Sequence, residues 1–145
     1  MMGVAGCAET TTRPTYERRT VDVPADAEPR TPTEATAAAQ QASSTSTNAV
    51  AAIDGVELIG HGFVFESGYL GATVQGAVEN RTGGRIDIAE VRVRVYNAND
   101  QLLGQYLDRV ADLDGGETWG FTVILLESPD TIAAYDIAAL GTPGG

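Results

Sequence analysis

The sequence predicts an all-β protein, an immunoglobulin-like antiparallel β-sandwich preceded by a disordered tether. Two observations predict the sandwich. From Ile53 onward, runs of alternating apolar and polar residues recur, divided by clusters rich in Gly, Asn and Asp. No helical period of comparable strength separates them. A third observation predicts the tether. From Ala8 to Ala52 the chain has no Leu, Ile, Phe, Met or Trp, and its larger apolar residues are Tyr16, Val21, Val23 and Val50. Such a segment buries too little apolar area to offset the entropy of ordering it.

The chain opens MMGVAGCAETTT, and Cys7 is the single cysteine. Val4-Ala5-Gly6-Cys7 has the form of a lipobox, the site at which a lipoprotein signal is cut and its cysteine acylated. Residues 1–7 are read as the remnant of that signal, with Cys7 as the lipidation site. A secretory signal carries a charged start and an apolar run before the cut, and neither stands here before Cys7. The stated start is therefore expected to fall inside a longer signal. If that start is genuine, Cys7 is a stray thiol and the protein is cytoplasmic. Residues 8–52 are the linker, 45 residues long. As a flexible coil they would reach roughly 35–40 Å. The stretch from Ala35 to Ala42 has some helix propensity but no apolar face to dock.

The strands follow in order. VELIGHGFVF alternates and carries aromatics, and YLGATVQGAVEN runs up to the turn cluster RTGG. IDIAEVRVRVYN has the clearest period: Val91, Val93 and Val95 share one face, and Arg92, Arg94 and Tyr96 share the other. That is the pattern of a half-buried strand. NAND turns the chain into QLLGQYLDRVADL, and DGGE turns it again. TWGFTVILL puts Trp119, Phe121, Val123 and Leu125 on one side; ESPD breaks it, and TIAAYDIAAL closes a domain of residues 53–140. Residues 141–145 are expected to be a flexible C-terminus. A domain of that size holds one modest core and no large interior pocket.

Twenty acidic residues face nine basic ones, for a net charge of −11, and all nine bases are arginine. This balance excludes nucleic acid, whose phosphates need basic neutralisation, and an electrostatic attachment to anionic membranes. The absence of lysine points to a halophile, where salt screens the repulsion among surface carboxylates.

The stretch from Gly71 to Leu125, together with IAAYDIAAL, resembles the FxLYD domain. Gly76-Ala77-Val78-Glu79-Asn80 matches the family's G-x-V-x-N strand end. Val93-Arg94-Val95-Tyr96-Asn97 stands where the naming motif would be, with valine for Phe and Leu and Asn97 for Asp. Leu102-Leu103-Gly104 follows the turn, and Leu113-Asp114-Gly115-Gly116-Glu117 with Phe121 matches the next element. Ala134-Tyr135-Asp136-Ile137 matches the last. The resemblance implies a fold and a location outside the cell, in a secreted or membrane-attached prokaryotic protein, and no catalytic site.

The residues carry little chemistry for catalysis. His61 is the single histidine, and neither G-x-x-x-x-G-K nor G-x-G-x-x-G occurs. No catalytic residue, cofactor or dedicated metal ligand is assigned. Asp108, Asp112 and Asp114, and the turn of Asn97, Asn99 and Asp100, offer oxygen atoms of the type calcium takes, without EF-hand spacing. Asn80-Arg81-Thr82 is an N-x-T sequon, which makes Asn80 a candidate glycosylation acceptor. Arg92, Arg94 and Tyr96 form a candidate partner face, with cross-strand ion pairing as the alternative account. The expectation for function is a non-catalytic, lipid-anchored cell-surface module presenting a protein-interaction or structural surface to an envelope protein. The alternative is an accessory domain that binds a small solute, glycan or calcium at a loop end.

Overall fold

A computed structural model describes residues 14–43 and 50–144. Seven strands and one helix occur in the order β1 (Glu17–Thr20), α1 (Pro32–Gln41), β2 (Val56–Glu66), β3 (Gly71–Asn80), β4 (Ile86–Tyr96), β5 (Leu102–Leu113), β6 (Thr118–Ile124) and β7 (Ala134–Pro143). A short 3-10 turn, Pro129–Thr131, leads into β7. The strands form two antiparallel sheets, β1-β7-β4-β5 and β2-β3-β6. The chain is an all-β sandwich.

The core lies where the alternation places it. Val91, Val93 and Val95 of β4 are fully buried and meet Val74 and Val78 of β3, Phe121 and Val123 of β6, and Tyr135 and Ile137 of β7. Leu125 is also fully buried, so the apolar side of TWGFTVILL faces inward throughout. Fully burying side chains of this size is worth about 1.5–3 kcal/mol each. Turn chemistry sets the register at the β4–β5 hairpin. The Asn97 side-chain oxygen accepts from the amides of Asn99 and Gln101, and Asp100 takes a left-handed φ of 63°.

A bulge separates Leu58 from Gly60 in β2. It brings the β2 backbone so close to β3 that a Cβ on Gly76 would lie 2.0 Å from the Gly60 carbonyl oxygen. Glycine is required at position 76 for that reason.

Two expectations from the sequence are corrected in extent. Part of the linker is laid against the sandwich. Glu17–Thr20 pairs with β7, and Ala51 exchanges two backbone hydrogen bonds with Gly141. Leu107 of β5 donates its amide to the Ser43 carbonyl at 2.8 Å. The larger apolar residues of the segment are the ones that dock. Val21 joins the main core, and Val50 packs with Ala138 and Leu140.

Helix α1 forms because Thr31 and Glu34 make a reciprocal capping box with Pro32 in the first turn. It docks through Ala38, a methyl-sized contact that is fully buried. Two buried valines do not offset the ordering of a whole arm at about 1–2 kcal/mol per residue. Fastening therefore falls to backbone pairing and polar contacts at a few points. The C-terminus is the second correction. Residues 141–143 continue β7, and Gly144 donates to the Arg85 carbonyl at 2.7 Å.

Candidate functional site

The outer face of the β1-β7-β4-β5 sheet gathers the charged groups. Because β4 alternates, its arginines leave the core together, and strand register decides what they meet. Arg94 stands opposite Asp136 of β7, and Glu90 opposite Arg109 of β5. Arg94 donates Nε and Nη2 to the two oxygens of Asp136, each at 2.8 Å, and the Tyr96 hydroxyl donates to Oδ2 at 3.0 Å. The forked guanidinium suits this bidentate geometry. Asp136 holds the Arg94 pKa above its ordinary value through that hydrogen bond. Burial first, then the bond to Asp136, pushes the Tyr96 phenol up.

The N-terminal arm covers this pair. The Arg94 guanidinium lies 3.6 Å from the centre of the Tyr16 ring, and Arg18 lies 4.5 Å over the Tyr96 ring. Arg18 also pairs with Asp100. Such cation–π contacts contribute about 0.5–2 kcal/mol each. Beside them, Glu90 is fully buried and bonded by two arginines, Arg92 and Arg109, the latter at 2.9 Å. The carboxylate is a hub, since both of its oxygens accept from a guanidinium. The structure therefore brings Arg92, Arg94 and Tyr96 together on one face, with each engaged by a carboxylate of the same sheet.

A second polar line crosses from one sheet to the other. His61 of β2 points between the sheets with its side chain 3% exposed. Its Nε2 lies 2.9 Å from the Glu17 carboxylate of β1, and its Nδ1 lies 2.7 Å from the Tyr135 hydroxyl of β7. A carboxylate only accepts, so Nε2 carries the proton, and in the neutral ring Nδ1 accepts from Tyr135. The hydrogen bond from His61, then that from Arg19, lowers the Glu17 pKa. Burial raises that of Tyr135. Arg19 reaches further, to the His61 carbonyl at 3.4 Å. In effect the line fastens β1 to β2.

At the far end, Arg30 donates to the carbonyls of Tyr69 and Leu70, each at 2.6 Å. Burial lowers the Arg30 pKa. Tyr106 of β5 donates to Glu127, and burial followed by that bond raises its phenol pKa.

Asn80 is corrected as a glycosylation acceptor. It is fully buried, and its amide nitrogen donates to the carbonyls of Gly84 at 2.7 Å and Leu113 at 2.8 Å. Its side-chain oxygen accepts from the Thr82 amide and hydroxyl. Asn80 thus staples the β3–β4 turn to the end of β5, and the folded domain has no room there for a glycan.

Of the carboxylates considered for calcium, Asp100 pairs with Arg18 and Asp112 lies 3.9 Å from Arg85. Asp108 accepts from the amides of Arg109 and Thr122, and Asp114 donates its amide to Glu117. Among the described residues, no group of three His, Cys, Asp or Glu is placed to hold a metal. An open cleft of about 310 Å³ between the arm and β2 is lined by Asp26, Glu28, Glu34 and Phe65. Of these, Glu34 is committed to the α1 cap. No helix among the described residues is long and apolar enough to cross a membrane. Cys7 lies outside the described residues.

Sequence reasoning missed the arm and the groups that hold it. The Thr31-Pro32-Thr33-Glu34 stretch is a capping-box signal that could have located α1. The Glu17–His61 contact joins residues far apart in the chain and has no local signature.

No known protein family matches the chain, and no solved structure matches it. An uncharacterized protein of Methanocaldococcus jannaschii is 31% identical over 67 residues, which is 45% of this chain and 50% of that relative. The chain thus spans about half the length of the relative it matches.

Proposed function

We propose that this chain is a non-catalytic, lipid-anchored β-sandwich module of the FxLYD type. It is displayed on the outer face of a prokaryotic cell membrane and presents a protein-interaction or structural surface. The observation that carries this reading is the use made of the charged groups. Glu17, Arg18, Arg30, Arg94, Asp136 and His61 fasten an N-terminal arm to the sandwich. The chemistry of the described face is that of an architectural joint. Val4-Ala5-Gly6-Cys7 supplies the anchor, and Cys7 is the only contact with lipid. The lysine-free acidic composition favours a halophilic cell. The partner is a protein of the envelope.

Expression of the gene with its upstream codons in a halophilic host tests the reading. The N-terminal peptide of the mature protein should begin at an acylated Cys7, and Cys7→Ser should move the protein from membrane to medium. An unmodified Cys7 in a cytoplasmic protein would sink it. Thermal stabilisation of the wild type by a sugar or by calcium would favour the loop-end binding alternative.

A further inference from the structure

The sandwich has four sheet edges, and the fold treats them unequally. β7 is interior, flanked by β4 and by β1 with Ala51. On the β5 edge, the Leu107 amide is taken by Ser43 and the Arg109 amide by Asp108. On the β6 edge, the Thr122 amide is taken by Asp108 at 3.0 Å. The β1 strand itself is four residues long and carries Glu17, Arg18 and Arg19, a short charged edge of the kind that resists pairing.

The remaining edge is β2, eleven residues long with neither proline nor lysine. The Val64 carbonyl accepts from Thr73 on the β3 side. The His61 carbonyl faces the other way, where it meets Arg19 at 3.4 Å. Backbone groups alternate along a strand, so those of His61, Phe63 and Phe65 all point away from β3. Among the described residues, β2 pairs with β3 alone.

The geometry points to a second copy of this chain as the occupant of that edge, through antiparallel β2–β2 pairing about a two-fold axis at Phe63. This register sets Phe63 against Phe63 and His61 against Phe65 twice, forming about six backbone hydrogen bonds, with the partner's Phe65 amide taking the place of the long Arg19 contact at each His61 carbonyl. It joins the two three-stranded sheets into one continuous sheet.

Two features of the outer face fit a copy rather than an arbitrary strand. Val64 is 37% exposed, and its opposite in this register is Gly62, where a Cβ would meet nothing within 4 Å. Each copy therefore lays an exposed β-branched side chain on the other's bare backbone. Charge also selects the register. Glu66 falls opposite Gly60, which is equally open, so no acid faces an acid across the seam. Each copy carries a net charge of −11, so the pair forms more readily as salt screens that charge. This face is separate from the arginine face, and the inference stands whether or not Cys7 is acylated.

The test uses the full chain with Cys7→Ser, in sedimentation velocity across concentration at about 0.1 M and about 2 M NaCl. A dimer strengthened by salt is expected. Val64→Glu, at a position 37% exposed, should weaken it at least about ten-fold while the thermal melt of the monomer stays cooperative. Register is read separately by disulfide formation. Mixing Gly62→Cys with Val64→Cys chains should give cross-linked heterodimers, because directly opposite Cα atoms lie about 4.5 Å apart. Val64→Cys alone, with its cysteines diagonal at about 7–8 Å, should cross-link poorly. A monomer at every concentration in both salts overturns the proposal. So does a dimer indifferent to Val64→Glu, or equal cross-linking of Val64→Cys with itself.

Discussion

Glu90→Gln is the perturbation that most directly tests the outer-face network. Glu90 is fully buried and accepts from Arg92 and from Arg109. The amide keeps the shape but loses the charge, and one of its two former acceptor positions becomes a donor aimed at a guanidinium. Breaking a buried ion pair from one side costs about 3–5 kcal/mol. The arginine side chains are 15% and 36% exposed, so water recovers part of that loss. The expected destabilisation is about 2–3 kcal/mol, on the order of a 6–12 °C fall in Tm for a chain of this length. Urea melts should show a lower midpoint with an unchanged slope. Because the hub is buried, the loss should persist in molar salt. Glu79→Gln is the control, since its pair with Arg81 is exposed and worth under about 1 kcal/mol. A Glu90→Gln protein that melts within about 2 °C of wild type would refute the reasoning.

Four further outcomes are expected. Asn80→Ala should cost about 2–4 kcal/mol in chemical denaturation, because it strands the carbonyl of Leu113 and the amide of Thr82 and leaves the Gly84 carbonyl with the Thr82 hydroxyl alone. Wild-type protein from its native host should show an unmodified Asn80 peptide by mass spectrometry. Gly76→Ala should destabilise by about 1–3 kcal/mol or more by forcing the β2 bulge away from β3, with the largest loss of amide protection at Gly60 and His61. Glu17 has a folded pKa depressed below its ordinary 4.5. Its contribution to arm docking is therefore fully present above that value and lost as pH falls through the lower, folded one. Amide exchange in β1 should quicken across that window in wild type and show no such step in Glu17→Gln.

The sandwich was legible because its strands are half-buried. Val91, Val93 and Val95 against Arg92, Arg94 and Tyr96 declare both the element and its two faces, and the Asn97 turn declares the hairpin. The arm was not legible, because its attachment is sparse. Tyr16, Val21, Val23 and Val50 stand out as the large apolar residues of a polar segment, yet four residues do not state a register. Ala38 docks α1 with a side chain that is ordinary on an exposed helix too.

Asn80 misled for a related reason. The sequon is a local pattern, and burial at Asn80 is decided by the Leu113 carbonyl, which arrives from another strand. The arginine face was half legible. Periodicity placed Arg92 and Arg94 together, but Asp136 and Glu90 meet them only through the pairing of strands.

The docked arm also sets a length. With Cys7 in lipid and the whole linker free, 45 residues would lie between bilayer and fold. With β1 seated on β7, only nine residues of sequence, Ala8 to Tyr16, separate Cys7 from that strand. Fully stretched, those span at most about 30 Å, against about 150 Å for the longer run. If Cys7 is acylated as proposed, a module on so short a leash is confined to a thin shell above the headgroups. It would then meet neighbours anchored in the same plane far more often than anything farther out, and releasing the whole arm, through Ala51 as well as Glu17, Arg18 and Arg94, would let it out about five-fold further.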